Sequence, residues 1–83
     1  MHKAGFTERE MKLLETFEEL IESGMRENFI NAAAVELKLS PVTIRTRLSR
    51  MRSKYNQCKE FMAEYRGWQQ RLYQKTGGRF HNL

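Results

Sequence analysis

The N-terminal part of the chain has the apolar spacing of an amphipathic helix. Large apolar side chains recur every three or four positions over residues 8–23, and glutamates occupy the opposite face, which predicts a helix. Thr7 and Glu10 have the spacing of a capping box, in which each side chain bonds the other residue's backbone N–H. Gly24 is a typical stop signal. We therefore predict the first helix over about residues 8–23.

Two further helix starts follow in close succession. Residues 29–38 carry a short apolar stripe with small alanines, and Asn28 stands where a helix cap is expected. Ser40 and Pro41 then predict a cap and a first helical position, where the missing N–H of proline costs nothing. Because only about two or three residues separate these helices, we expect them to cross steeply, as in a helix-turn-helix.

The helical pattern continues far beyond Pro41. Apolar positions recur at alternating steps of four and three residues, as in a heptad seam. Asn56 and Gln57 are suited to a bend, so the pattern permits either one long helix or two segments. The seam consists of Ile44, Leu48, Met51, Tyr55, Cys58, Met62, Tyr65 and Leu72.

The sequence thus predicts an all-α fold in a single domain, residues 1–83, with no strand pattern and no repeat. A three-helix helix-turn-helix core is expected over residues 6–55. A long C-terminal helical extension follows over 56–75. Residues 76–83 begin with Thr76 and the glycine pair Gly77–Gly78, and they are expected to form a flexible tail.

Size and composition restrict the class of protein. Eighty-three residues make one small domain with a thin core. No apolar run approaches the roughly 18 residues of a membrane span, and the first residues lack the apolar segment of a signal peptide. Cys58 is the single cysteine, so no internal disulfide can form, which fits a reducing cytosol. We expect a cytoplasmic protein without a membrane partner.

Charge is divided unevenly along the chain. Residues 1–37 carry 4 basic and 8 acidic side chains, whereas residues 38–83 carry 11 basic and 2 acidic ones, and the net charge is +5. A basic block attracts polyanions, because each Lys or Arg set against a phosphate releases a condensed counterion. A solvated face that keeps a small protein soluble has the same charge. The position of the basic residues must therefore decide between the two interpretations.

Many of the basic residues fall on the predicted helix after Pro41. This helix has an apolar face for packing and, centred about 140° away, a face whose side chains can reach base edges. Arg and Lys can bond guanine O6 and N7, and a threonine methyl can pack on thymine. Arg45 and Arg52 point to a flank suited to phosphates, and Thr43 is suited either to DNA contact or to capping. With helix 41–54 in the major groove, the candidate DNA-binding residues are Thr43, Arg45, Thr46, Arg47, Arg50, Arg52 and Lys54.

Three segments carry a resemblance to a known family: FTERE at 6–10, AAVELKLSPVTIR at 33–45 and LSRMRSKY at 48–55. Together they resemble the LuxR/GerE-type DNA-binding domain, which is similar in outline to region four of sigma factors. The resemblance implies a transcription regulator whose helix beginning near Pro41 enters the major groove. Two departures stand out. The first helix or its loop is about one helical turn longer than usual, and the short fourth helix of the family is replaced by an aromatic-rich stretch.

This aromatic-rich stretch is a second candidate surface. On a lone helix its large apolar side chains would form an exposed patch, so they must either pair two protomers or fold back on the first helix. A homodimer matches the symmetry of inverted-repeat operators, and in the resembling family a helix after the recognition helix commonly pairs protomers. We predict a homodimer, with candidate dimerisation residues Cys58, Phe61, Met62, Tyr65, Trp68 and Leu72.

No catalytic or metal-ligating constellation is recognisable. His2 and His81 lie at opposite ends, Cys58 has no assignable base, and no phosphate-binding glycine loop occurs. We therefore expect no enzymatic activity, no metal and no cofactor.

The predicted function is sequence-specific binding of double-stranded DNA in transcriptional regulation. RNA polymerase or another regulator is a further candidate partner, since the first helix has an acidic face. The alternative is a helical protein–protein interaction module or a phage-type assembly adaptor that uses the C-terminal apolar seam.

Overall fold

The computed structural model describes residues 6–80, which form four α-helices and no β-strand. The predicted all-α fold is confirmed. Consecutive helices pack against one another, and the first helix also contacts the third and fourth. In chain order the helices are α1 (Glu8–Glu22), α2 (Phe29–Leu37), α3 (Pro41–Gln57) and α4 (Lys59–Lys75).

Local cap signals position two of the helix starts as predicted. At α1, the Glu10 N–H donates to Thr7 Oγ1 (3.2 Å) and the Thr7 N–H donates to Glu10 Oε1 (2.8 Å), which completes the capping box. At α3, the Thr43 N–H donates to Ser40 Oγ (3.1 Å). Asn28 has the predicted N-cap position before α2, but the side-chain cap expected there is wrong. An N-cap side chain acts from an extended backbone, whereas Asn28 is left-handed with φ 61° and makes no capping hydrogen bond.

The helical pattern after Pro41 forms two helices, separated at Cys58. This residue is extended (φ −139°, ψ 118°) and serves as both the last cap of α3 and the first cap of α4. The break lies one residue after the Asn56–Gln57 pair that the sequence marked as a possible bend. It lets α4 pack against α3 and α1, whereas one continuous helix would project away from the domain.

The aromatic side of α4 forms the interior of the same chain. Phe61, Tyr65, Trp68 and Leu72 are at most 2% exposed, and the Trp68 ring lies 6.2 Å from that of Phe17 in α1. The prediction that these four residues form a dimer seam is wrong. They pack instead on the apolar face of α1, which belongs to the same chain and must also be buried. The other two predicted dimerisation residues, Cys58 and Met62, are half-buried.

The segment after α4 is packed, which corrects the expected flexible tail for residues 76–80. Phe80 is 1% exposed, and its ring lies 5.1–5.5 Å from those of Phe17, Phe29 and Trp68. The Phe80 N–H donates to Thr76 Oγ1 (2.9 Å), which in turn donates to the Leu72 carbonyl (2.9 Å). The turn between them uses two glycines with positive φ. Residues 81–83 of the expected tail lie outside the described residues.

Phe80→Ala should lower the free energy of unfolding by about 3–5 kcal/mol, since it removes a fully buried ring and leaves a cavity. Urea denaturation followed by circular dichroism measures this change, and a variant that is unfolded without urea has lost at least the whole stability of the wild type. Val35→Ala is the matched control, because Val35 is 80% exposed and its truncation should stay within about 0.5 kcal/mol. A Phe80 variant as stable as the control would contradict the anchored position of this segment.

Candidate nucleic-acid interface

Helix α3 has one buried side and one long exposed side. Ile44, Leu48 and Met51 are at most 2% exposed and belong to the core. On the opposite side lies an exposed ridge, spaced by four, three and four residues along one line of the helix. We call it the α3 ridge, and it consists of Val42, Thr46, Ser49 and Ser53.

Arginines flank the α3 ridge on both sides. At 100° per residue, Arg50 lies on one flank, and Arg45 and Arg52 lie on the other. All three are exposed, as is Thr46 at the centre of the ridge. Arg47 is half-buried and lies further round the helix. Four of the seven predicted DNA-binding residues therefore lie on one exposed surface, namely Arg45, Thr46, Arg50 and Arg52.

Thr43 is part of the helix start. Its Oγ1 lies 2.9 Å from Ser40 Oγ, and its N–H bonds the same oxygen. The residue is half-buried. These contacts agree with the capping role that the sequence left open for Thr43, and they favour it over contact with a base.

Lys54 is engaged by α1 and not by the α3 ridge. Its Nζ lies 2.7 Å from Glu10 Oε1, the carboxylate that also completes the capping box of α1. The ammonium also lies 5.2 Å from the centre of the Phe61 ring. Because these contacts neutralise and hold its charge, we leave Lys54 out of the proposed interface.

Arg52 is exposed but interacts with α4 through Tyr65. Burial raises the pKa of the Tyr65 hydroxyl above its ordinary value of 10.0, and the positive charge of Arg52 opposes this rise in part. The two side chains line a small groove together with Tyr55, Asn56 and Gln69. Arg52 thus couples the flank of the α3 ridge to the core helix beneath it.

Three residues of the α3 ridge were not predicted from the sequence, namely Val42, Ser49 and Ser53, and Val42 is the apolar one. It is 68% exposed at the second position of α3 and belongs to the α3 ridge. The spacing of Val42, Thr46, Ser49 and Ser53 is visible in the sequence. However, the predicted face was centred on the charged residues, towards Arg47 and Lys54, and no role was assigned to Val42.

Within residues 6–80, no helix is both long and apolar enough to cross a membrane. In the same part of the chain, no three His, Cys, Asp or Glu side chains are grouped so that they could hold a metal ion. His2 and His81 lie outside the described residues.

Comparisons of this chain with models of protein families, with curated proteins and with solved structures give no match. The geometry of α3 and its surroundings therefore carries the functional argument.

The free energy of unfolding should fall as the pH rises above about 10, because the unfolded chain then releases the Tyr65 proton that the folded chain retains. Below the ordinary tyrosine pKa both states are protonated, and this residue has no effect. Urea unfolding at about pH 9, 10 and 11 measures the slope. In Tyr65→Phe the slope should be shallower, and equal slopes in the two proteins would contradict the assignment.

Proposed function

We propose that this chain binds double-stranded DNA sequence-specifically, with the α3 ridge in the major groove, and acts as a small cytoplasmic transcription regulator without enzymatic activity or cofactor. The observation that carries the proposal is the composition of the exposed side of α3. Short hydroxyl and apolar side chains form its centre, and arginines flank it on both sides.

This composition suits the dimensions of duplex DNA. The major groove is about 12 Å wide and admits an α-helix. Short side chains along the ridge let the helix backbone approach the base edges, where threonine and valine can contact bases and methyl groups. Arg45 and Arg52 on one flank are long enough to reach phosphates at the groove edge, where contacts fix register and orientation. Arg50 on the other flank can bond guanine O6 and N7.

Electrostatics favours the same surface. No acidic residue occurs between Glu36 and Glu60, a stretch that includes all of α3. The acidic residues concentrate instead in α1 and the connection after it. A duplex would therefore be attracted to α3 and repelled by the acidic face of α1, which orients the encounter. That acidic face remains a candidate contact for RNA polymerase or another regulator.

The alternative is a protein-interaction module or assembly adaptor that uses the C-terminal apolar seam. It depended on that seam being exposed. The large side chains of that seam are buried within the chain. A homodimer stays a prediction, but it would need a surface other than the aromatic side of α4.

Selection of bound duplexes from a random-sequence pool at near-physiological salt tests the proposal. Enrichment of one sequence is expected. An enriched inverted repeat would indicate a two-fold dimer, and an enriched single half-site would indicate a monomer. Binding without any enrichment, or no binding, would overturn sequence-specific recognition.

Arg50→Ala should weaken binding to the selected duplex by about 1–3 kcal/mol, or roughly 5- to 150-fold, if Arg50 bonds a base. Fluorescence anisotropy with labelled duplex measures the dissociation constant. Arg71→Ala is the matched control, since it removes the same charge from α4, where Arg71 lies 3.7 Å from Glu18. Arg47→Ala should have a smaller effect because Arg47 is half-buried. Unchanged affinity in Arg50→Ala would exclude Arg50 from the recognition face.

Val42→Ala removes two methyl groups, of which one would pack on a thymine methyl. Affinity for the selected site should therefore fall by about fourfold, the equivalent of roughly 0.8 kcal/mol for one buried carbon group. Replacing single thymines by uracil removes the methyl and nothing else. At the contacted position, uracil should weaken the wild-type protein and leave Val42→Ala unaffected. Additive losses at every thymine would show that Val42 contacts none of them.

A further inference from the structure

A second concentration of positive charge lies beside α3, outside the α3 ridge. Arg26, Arg45 and Arg79 line one open cavity of about 650 Å³, together with the first residues of α2. The three arginines come from separate parts of the chain: the α1–α2 connection, α3 and the segment after α4. Glu27 also lines the cavity, so three arginines and one glutamate contribute to its lining.

Two of these arginines are positioned by the fold. Arg26 Nη1 donates to the carbonyl oxygens of Ile21 (3.1 Å) and Met25 (2.8 Å), which fixes its guanidinium at the end of α1. Arg79 directly precedes Phe80, whose ring is held in the core. The side chain of Arg79 is exposed, and its backbone is held in place by the buried neighbour Phe80.

Among the described residues that line this cavity, basic side chains outnumber acidic ones. The ion pairs Lys54–Glu10 and Arg71–Glu18 both lie outside it. Three arginines against one glutamate leave an excess of positive charge, which an anionic ligand would stabilise. Arginine is particularly suited to phosphate, because its planar fork donates two parallel hydrogen bonds.

We propose that this cavity binds the sugar–phosphate backbone of the duplex alongside the groove that α3 occupies. The proposal rests on the proposed function and extends its footprint to the C-terminal segment. Arg45 connects the two surfaces, since it flanks the α3 ridge and also lines the cavity. Contacts of this kind contribute affinity and register but do not discriminate between sequences.

The test is the salt dependence of DNA binding by Arg79→Ala, measured on the selected duplex and on a scrambled one. Each phosphate contact contributes about 0.9 to the slope of log affinity against log salt. Arg79→Ala should lower this slope by about 0.9 and weaken both duplexes by the same factor. Arg79→Lys should keep most of the slope, and Arg71→Ala, the matched control, should leave it unchanged. All these variants keep Phe80, the buried residue that anchors this segment, so we expect them to stay folded and the slope to report on DNA binding.

The outcomes separate this proposal from the proposed function. If the wild-type protein enriches a sequence but Arg79→Ala has the wild-type slope, the backbone site is overturned while sequence-specific binding stands. If Arg79→Ala lowers the slope although no sequence is enriched, the backbone site stands and the recognition surface does not. Titration of wild-type protein with pyrophosphate adds a third arm. Tight binding of pyrophosphate without any DNA binding would overturn the proposal, because the ligand of the cavity would then be a small free anion and not the DNA backbone.

Discussion

Packing of the aromatic side of α4 against α1 is the interaction on which the other features of this small protein depend. Trp68 lies at its centre, with ring centres at 6.2 Å to Phe17, 5.6 Å to Tyr65 and 5.4 Å to Phe80. Each buried aromatic side chain removes about 150–250 Å² from water. In a domain of this size, where one thin core supplies only about 3–5 kcal/mol, such a cluster decides whether the chain folds.

The same packing determines which surfaces stay accessible. The break at Cys58 turns α4 back so that it covers α1 and the end of α3, and the ridge beginning at Val42 stays exposed. Phe80 extends the aromatic cluster and thereby fixes the backbone beside Arg79. The proposed contacts to bases and to the backbone thus depend on the same interior, although no residue of that interior is proposed to touch DNA.

The sequence predicted features that depend on residues close together in the chain better than features that depend on distant residues. The caps at Thr7 and Ser40 were predictable because a capping bond joins residues three apart. The destination of the α4 aromatics was not, since a heptad seam has the same spacing whether it pairs protomers or folds back. Phe80 stands alone in a polar segment, where periodicity gives no signal. Lys54 was assigned by its position on the helix, yet its partner Glu10 is 44 residues away.

Charge compensation along α3 then indicates how a duplex would lie on it. At the C-terminal end, Lys54 is paired with Glu10, and Arg52 interacts with the hydroxyl side of Tyr65. At the N-terminal end, Arg45 lines a cavity together with two further arginines and one glutamate. Because uncompensated charge attracts phosphate most strongly, the footprint should centre on the first half of α3. Recognition helices commonly contact base edges with their N-terminal residues, so electrostatics and the exposed position of Val42 favour the same orientation.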